Sequence, residues 1–144
     1  MRNFKLIFLA SLASAIVILT FGSCVTTTHF ATSAITPAAE GTVKIKKDAN
    51  KNYVIKIQIT NLAESSKLTP PMNAYVVWLV TDDNMTKNAG QIKSSSAFLS
   101  KSLNATFETV SPLKPIKVFI TAENDASIQY PLASDFILTT DYMK

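Results

Sequence analysis

Strict apolar–polar alternation is what most restricts this chain. In "YVIKIQIT" the residues Tyr53, Ile55, Ile57 and Ile59 alternate with Val54, Lys56, Gln58 and Thr60. Just before it, "GTVKIKK" sets Val43 and Ile45 against Lys44 and Lys46, and the turn cluster "DANKN" separates the two. A period of two cannot lay one apolar stripe along a helix. It places every second side chain on one face of a strand. Two such runs around a polar turn predict a β-hairpin with one buried face.

The rest of the chain continues in this vein. "AYVVWLVTDD" is apolar on both faces, with Tyr75, Val77 and Leu79 against Val76, Trp78 and Val80, as expected of a central strand covered on two sides. Shorter strands are expected at "GQIK", "AFLS" and "NATFETV", a strong one at "PIKVFITAE" (which holds Val118), and a last one at "DFILTTDY". The Pro70–Pro71 pair keeps "NLAESSKLTPPMN" out of any sheet. No amphipathic helical period intervenes. The expected fold is therefore all-β, an antiparallel immunoglobulin-like β-sandwich of seven to eight strands over 41–144. Its expected core includes Ile57, Tyr75, Val77, Trp78, Leu79 and Val118. Trp78 is read as the core tryptophan that such sandwiches place on their third strand, rather than as a ligand platform.

Ahead of this domain stands "MRNFKLIFLASLASAIVILTFGSC". Arg2 and Lys5 open it, an uncharged apolar stretch runs from Leu6 to Phe21, and the small residues Gly22 and Ser23 precede Cys24. This is the layout of a secretory leader over 1–23, and the apolar run is shorter than the roughly 20 residues of a membrane-spanning helix. "FGSC" resembles a bacterial lipobox, although Phe21 stands where Leu is usual. The resemblance implies that Cys24 becomes the first mature residue, carrying a diacylglycerol thioether and an amide-linked acyl chain. A thioether also removes a lone thiol from an oxidising compartment. Two alternatives stand beside this one: cleavage after Ala34, which discards Cys24, and an uncleaved single-span anchor.

Loss of the leader removes Arg2 and Lys5 from 14 basic residues, which leaves 12 against 10 acidic ones and a formal charge of +2. The mature part then holds no arginine, the residue best suited to phosphate and guanine contacts, so nucleic acid is not an expected partner. Residues 24–40, rich in Thr, Ser and Ala, are expected to form a flexible tether. His29, the only histidine, lies there without partner ligands. Surface-exported lipoproteins of some Gram-negative groups resemble one another in an acidic run after the cysteine, and since none follows Cys24 the lipobox resemblance implies a periplasm-facing position in the cell envelope.

A second resemblance concerns the domain. "YVVWLVTDDNMTKNAGQI" has an aromatic-V-x-W-x-V strand, a polar turn and then Gly90 and Ile92, and farther on come Thr121-Ala122-Glu123 and Pro131. Over most of 41–138 this resembles the extracytoplasmic domain of anti-sigma-K factors. Members of that family carry a sigma-binding helical domain before a membrane span, and no such domain is expected ahead of the leader here. The resemblance therefore implies the sandwich and its extracytoplasmic place, not sigma sequestration.

No catalytic set emerges. The domain has neither His nor Cys, which excludes Ser–His and Cys–His chemistry. Asp82 and Asp83, beside Asn84 and Asn88, loosely resemble a calcium loop, yet Lys93 stands where a bidentate Glu belongs, so "TDDNMTKNAG" is read as a polar hairpin turn with no metal expected. No cofactor is expected either. Lys44, Lys46, Lys47, Lys51 and Lys56 crowd the first hairpin, where they either protect a sheet edge or meet anionic lipid headgroups. In an immunoglobulin-like topology the loops 61–73 and 124–134 share one end, which makes Glu64, Lys67, Met72 and Tyr130 the candidate contact residues. The expected function is a non-enzymatic binding module held to the membrane through Cys24, with a protein or small-ligand partner in the envelope. An envelope-stress sensing component is the first alternative, and a metal-dependent hydrolase using Asp82 and Asp83 the second.

Overall fold

The computed structural model describes residues 25–96, 103–132 and 136–143. The leader, Cys24 and the strand expected at "AFLS" lie outside them. Among the described residues nine strands form: β1 (Val25–His29), β2 (Glu40–Lys47), β3 (Tyr53–Thr60), β4 (Ala74–Thr81), β5 (Thr86–Ile92), β6 (Ser94–Ser96), β7 (Leu103–Ser111), β8 (Pro115–Glu123) and β9 (Leu138–Thr139). They make a five-stranded sheet in the order β1-β2-β3-β7-β6 and a four-stranded sheet in the order β5-β4-β8-β9. Every pairing is antiparallel. The chain changes sheets between β3 and β4, between β5 and β6 and between β7 and β8, with β7 returning beside β3. The architecture is an all-β, immunoglobulin-like sandwich.

Alternation fixes the register. Val43 pairs with Ile57 and Ile45 with Ile55, Ile59 with Ala105, and Tyr75, Val77 and Leu79 with Ala122, Ile120 and Val118. Residues directly opposite in a pair share a face, so these side chains line the space between the sheets as one continuous core. A slip of one residue in β3 would turn three isoleucines into solvent.

Three features differ from the expectation. The first is the tether. Val25–His29 forms β1 and pairs residue by residue with Thr42–Lys46 of β2. Beyond it, Phe30 bridges to Thr140 and Ala31 donates to the Thr139 carbonyl (2.8 Å), which ties the segment to the four-stranded sheet as well. Three consecutive threonines, β-branched and tolerant of a half-exposed surface, suit a strand that β2 templates. The second is Ser94–Ser96, between the strands expected at "GQIK" and "AFLS", which pairs with β7 as a short strand of its own.

The third is Trp78. It is fully buried, but not between the sheets. Since Tyr75, Val77 and Leu79 point inward, Val76 and Trp78 must point to the outer face of the four-stranded sheet. There they form a separate cluster with Phe119, covered by Ala126 and Ile128 of the β8–β9 loop. Trp78 and Phe119 stack at 6.2 Å between ring centroids. The tryptophan thus buries itself under a loop.

Candidate functional site

The loop over Trp78 is held by buried hydrogen bonds. Trp78 Nε1–H donates to Thr121 Oγ1 (2.8 Å), and the Thr121 hydroxyl donates to Glu123 Oε1 (2.7 Å). The same carboxylate oxygen accepts the Leu132 N–H (3.2 Å). The loop that leaves the sheet at Glu123 is thereby pinned again at Leu132. Glu123 is only 3% exposed, and a carboxylate so placed requires such donors.

Asn88 fastens the middle of the loop. Its Nδ2 donates to the Ala126 and Ile128 carbonyls (2.9 and 2.7 Å), while its Oδ1 accepts the Gly90 N–H (2.8 Å). This is made possible by a bulge: Val77 pairs with Gly90 and Trp78 with Asn88, leaving Ala89 unpaired, and Gly90 adopts φ 129°. A Cβ at Gly90 would also lie 3.3 Å from the Phe107 ring. The bulge turns Asn88 toward the loop, a usual effect of such irregularities near sites.

Between the β5 edge and the loop lies an open cleft of about 610 Å3, with Met85, Lys87 and Asn88 on one wall and Ser127, Gln129 and Tyr130 on the other. Tyr130 is 73% exposed and Met85 54%. An exposed aromatic ring and methionine beside amide, hydroxyl and ammonium groups suit recognition of a ligand with both apolar and polar surface. Among the described residues no carboxylate lines the cleft.

The structure separates the expected contact residues. The two loops do meet, where Asn73 Nδ2 donates to the Asn124 carbonyl (3.0 Å). Of the four candidates, however, only Tyr130 lines the cleft. Met72 is half-buried against the main core. Glu64 and Lys67 are exposed around the 3-10 turn Ser65–Lys67, joined by the Lys67 N–H to the Glu64 carbonyl (2.9 Å). Sequence reasoning missed Asn88 as a clamp, because its partners stand far along the chain.

The acidic pair sits in the tight turn between β4 and β5. Asp83 Oδ1 accepts the Thr81 hydroxyl (2.6 Å) and the Met85 N–H (3.1 Å). The Thr81 bond first, then the Met85 bond, holds its carboxyl below the usual carboxylate range. Among the described residues no group of three or more His, Cys, Asp and Glu side chains converges.

The hairpin lysines are not edge guards. β1 covers the outer side of β2, and β3 lies between β2 and β7. Lys44 stands directly opposite Lys56, and Lys56 pairs with Glu108 at 3.1 Å, both largely exposed. Such a pair contributes less than about 1 kcal/mol. Compared with known protein families, with curated proteins and with solved structures, the chain matches none.

Proposed function

We propose that this chain is an envelope lipoprotein, acylated at Cys24 and facing the periplasm, whose sandwich acts as a non-enzymatic binding module. The cleft between β5 and the β8–β9 loop is its recognition surface. The observation that carries this reading is the clamped loop: Asn88 and the Trp78–Thr121–Glu123–Leu132 chain fix both cleft walls while Tyr130 stays open. A preformed wall spares a ligand the entropy of ordering it. Support for a hydrolase is weaker, since the Asp83 carboxylate is engaged by its own turn. The anti-sigma-like resemblance favours a sensing role for the same cleft, with the partner as the signal.

The test is photo-crosslinking in intact cells, with a photoreactive phenylalanine analogue at position 130 and, separately, at 67. Discrete adducts at 130 and none at 67 are expected. Adducts at 67 alone would move recognition to the other loop, and no adduct at either position sinks the binding-module reading. In parallel, Cys24→Ala is expected to release the acyl anchor, seen as loss of incorporated radiolabelled fatty acid.

A further inference from the structure

The end of the sandwich that carries the β2–β3, β4–β5 and β7–β8 turns holds a second site. There the two sheets gape around a cavity of about 290 Å3 lined by Thr26, Ile45, Lys47, Tyr53, Lys114, Pro115 and Met143. We propose that this open end binds the phosphate-bearing headgroup of an anionic phospholipid, gripped between Lys47 and Lys114. The placement beside a bilayer rests on the lipid-anchor reading, while the recognition chemistry stands on the cavity itself.

Position is the first argument. Thr26 pairs with Ile45 at the start of β1 and forms part of the cavity wall two residues after Cys24. Charge is the second. Lys47 comes from the five-stranded sheet and Lys114 from the β7–β8 connection, and among the described residues no carboxylate lines the cavity. Among the described residues neither lysine forms an ion pair, the one such pair being Lys56–Glu108. The neighbouring Asp48 turns its carboxylate into its own hairpin, accepting the Asn50 and Asn52 N–H groups (2.8 Å each). Lys47 is positioned by the Tyr53 ring, with Nζ 5.3 Å from the centroid.

The floor is the third argument. Ile45 and Pro115 are buried, and Met143 is half-buried; these surfaces suit a glycerol and acyl root rather than a bare anion. The adjoining outer face continues the theme. Val25, Lys46, Val54 and Val110 stand in one row across β1, β2, β3 and β7, with Val25 48% and Val110 56% exposed. Valines on either side of a lysine suit an interface that is apolar below and anionic above.

The experiment titrates full-length protein in a neutral detergent with short-chain phosphatidylglycerol, short-chain phosphatidylcholine or inorganic phosphate, reading thermal unfolding. A saturable rise in Tm with phosphatidylglycerol alone is expected. Lys47→Gln/Lys114→Gln is expected to weaken it at least tenfold, Lys47→Arg/Lys114→Arg to keep it, and Lys67→Gln/Lys93→Gln to leave it unchanged. Undiminished binding by the Gln pair overturns the site. An equal rise with inorganic phosphate overturns the lipid assignment in favour of a small anion. Because the titration is done in detergent, Cys24→Ala leaves it intact, so failure of the anchor and failure of the headgroup site remain distinguishable.

Discussion

The buried chain from Trp78 to Glu123 makes a quantitative prediction. Thr121→Val keeps shape and strand propensity but removes the hydroxyl that accepts from Trp78 and donates to Glu123. All three residues are at most 3% exposed, so water cannot replace the lost partner. A stranded indole N–H costs about 1–3 kcal/mol, and a lost bond to a carboxylate contributes comparably. Thr121→Val is therefore expected to destabilise the domain by about 2–4 kcal/mol, a large share of a typical 5–15 kcal/mol. Trp78→Phe removes the donor itself and leaves a small void, at about 1–2 kcal/mol. In the double variant no indole N–H remains to be stranded, so its cost should fall short of the sum by about 1–2 kcal/mol. Urea unfolding of detergent-solubilised protein supplies the cycle. It must be followed by far-UV circular dichroism, because Trp78 is the only tryptophan. Additivity within about 0.5 kcal/mol would refute the hydrogen-bond chain as the element joining loop to sheet.

The remaining predictions concern titration and packing. Tyr75 donates its hydroxyl to the Ala63 carbonyl (2.8 Å), and burial pushes its pKa up from 10.0 to about 12. Because the folded value is the higher one, its stabilisation is complete below 10.0 and is lost as pH rises toward about 12; ultraviolet titration should show one tyrosine ionising last. Asp83 is held low by the Thr81 hydroxyl, then the Met85 N–H, and Asp125 by the Ser127 N–H and hydroxyl. For both, stabilisation is present above the unfolded value near 3.8 and is lost as pH falls through the lower folded value, so Asp83→Asn/Asp125→Asn should flatten the acid fall in Tm. Gly41→Ala would bring a Cβ to 2.8 Å from the Gln58 carbonyl oxygen and 3.0 Å from Ile59 and Phe30. A loss of about 1–3 kcal/mol in urea unfolding is expected, and an unchanged midpoint would deny that β2 packs this closely against β3 and Phe30.

What the sequence disclosed follows from whose chemistry decides each element. β2, β3, β4 and β8 carry their own apolar pattern, so their existence and inward faces are legible from residues alone. β1 and β6 are not, because "VTTTH" and "SSS" have no alternation of their own. They are strands because β2 and β7 offer backbone partners. Trp78 shows the same limit in one residue. An apolar run guarantees its burial, yet only the chain crossing the outer face decides whether a sheet or a loop covers it. The cleft is half legible. Tyr130 stands out as a loop aromatic, whereas the clamp role of Asn88 depends on carbonyls 38 and 40 residues away.

The strand at Val25 changes what an anchor on Cys24 does. A disordered segment over 24–40 would have a span of about 20–25 Å, leaving the domain free to tumble. With Val25 already paired to Lys46, one peptide step of about 3.8 Å would separate an acylated Cys24 from the sheet. Such an anchor would hold the sandwich against a bilayer by its open end and leave only some orientations. The lysine and valine row lies on the outer face of the five-stranded sheet. The clamped loop and Tyr130 belong to the outer face of the four-stranded one. These are opposite faces of a two-layer structure, so a domain that leans its cationic side on anionic headgroups turns its cleft outward. Inserting a flexible Gly-Ser segment between Cys24 and Val25 separates the two effects. Acylation should persist while accessibility of Lys46 and Lys47 to a membrane-impermeant amine reagent rises severalfold. Unchanged lysine labelling would mean that the strand, though formed, does not set the domain's attitude to the membrane.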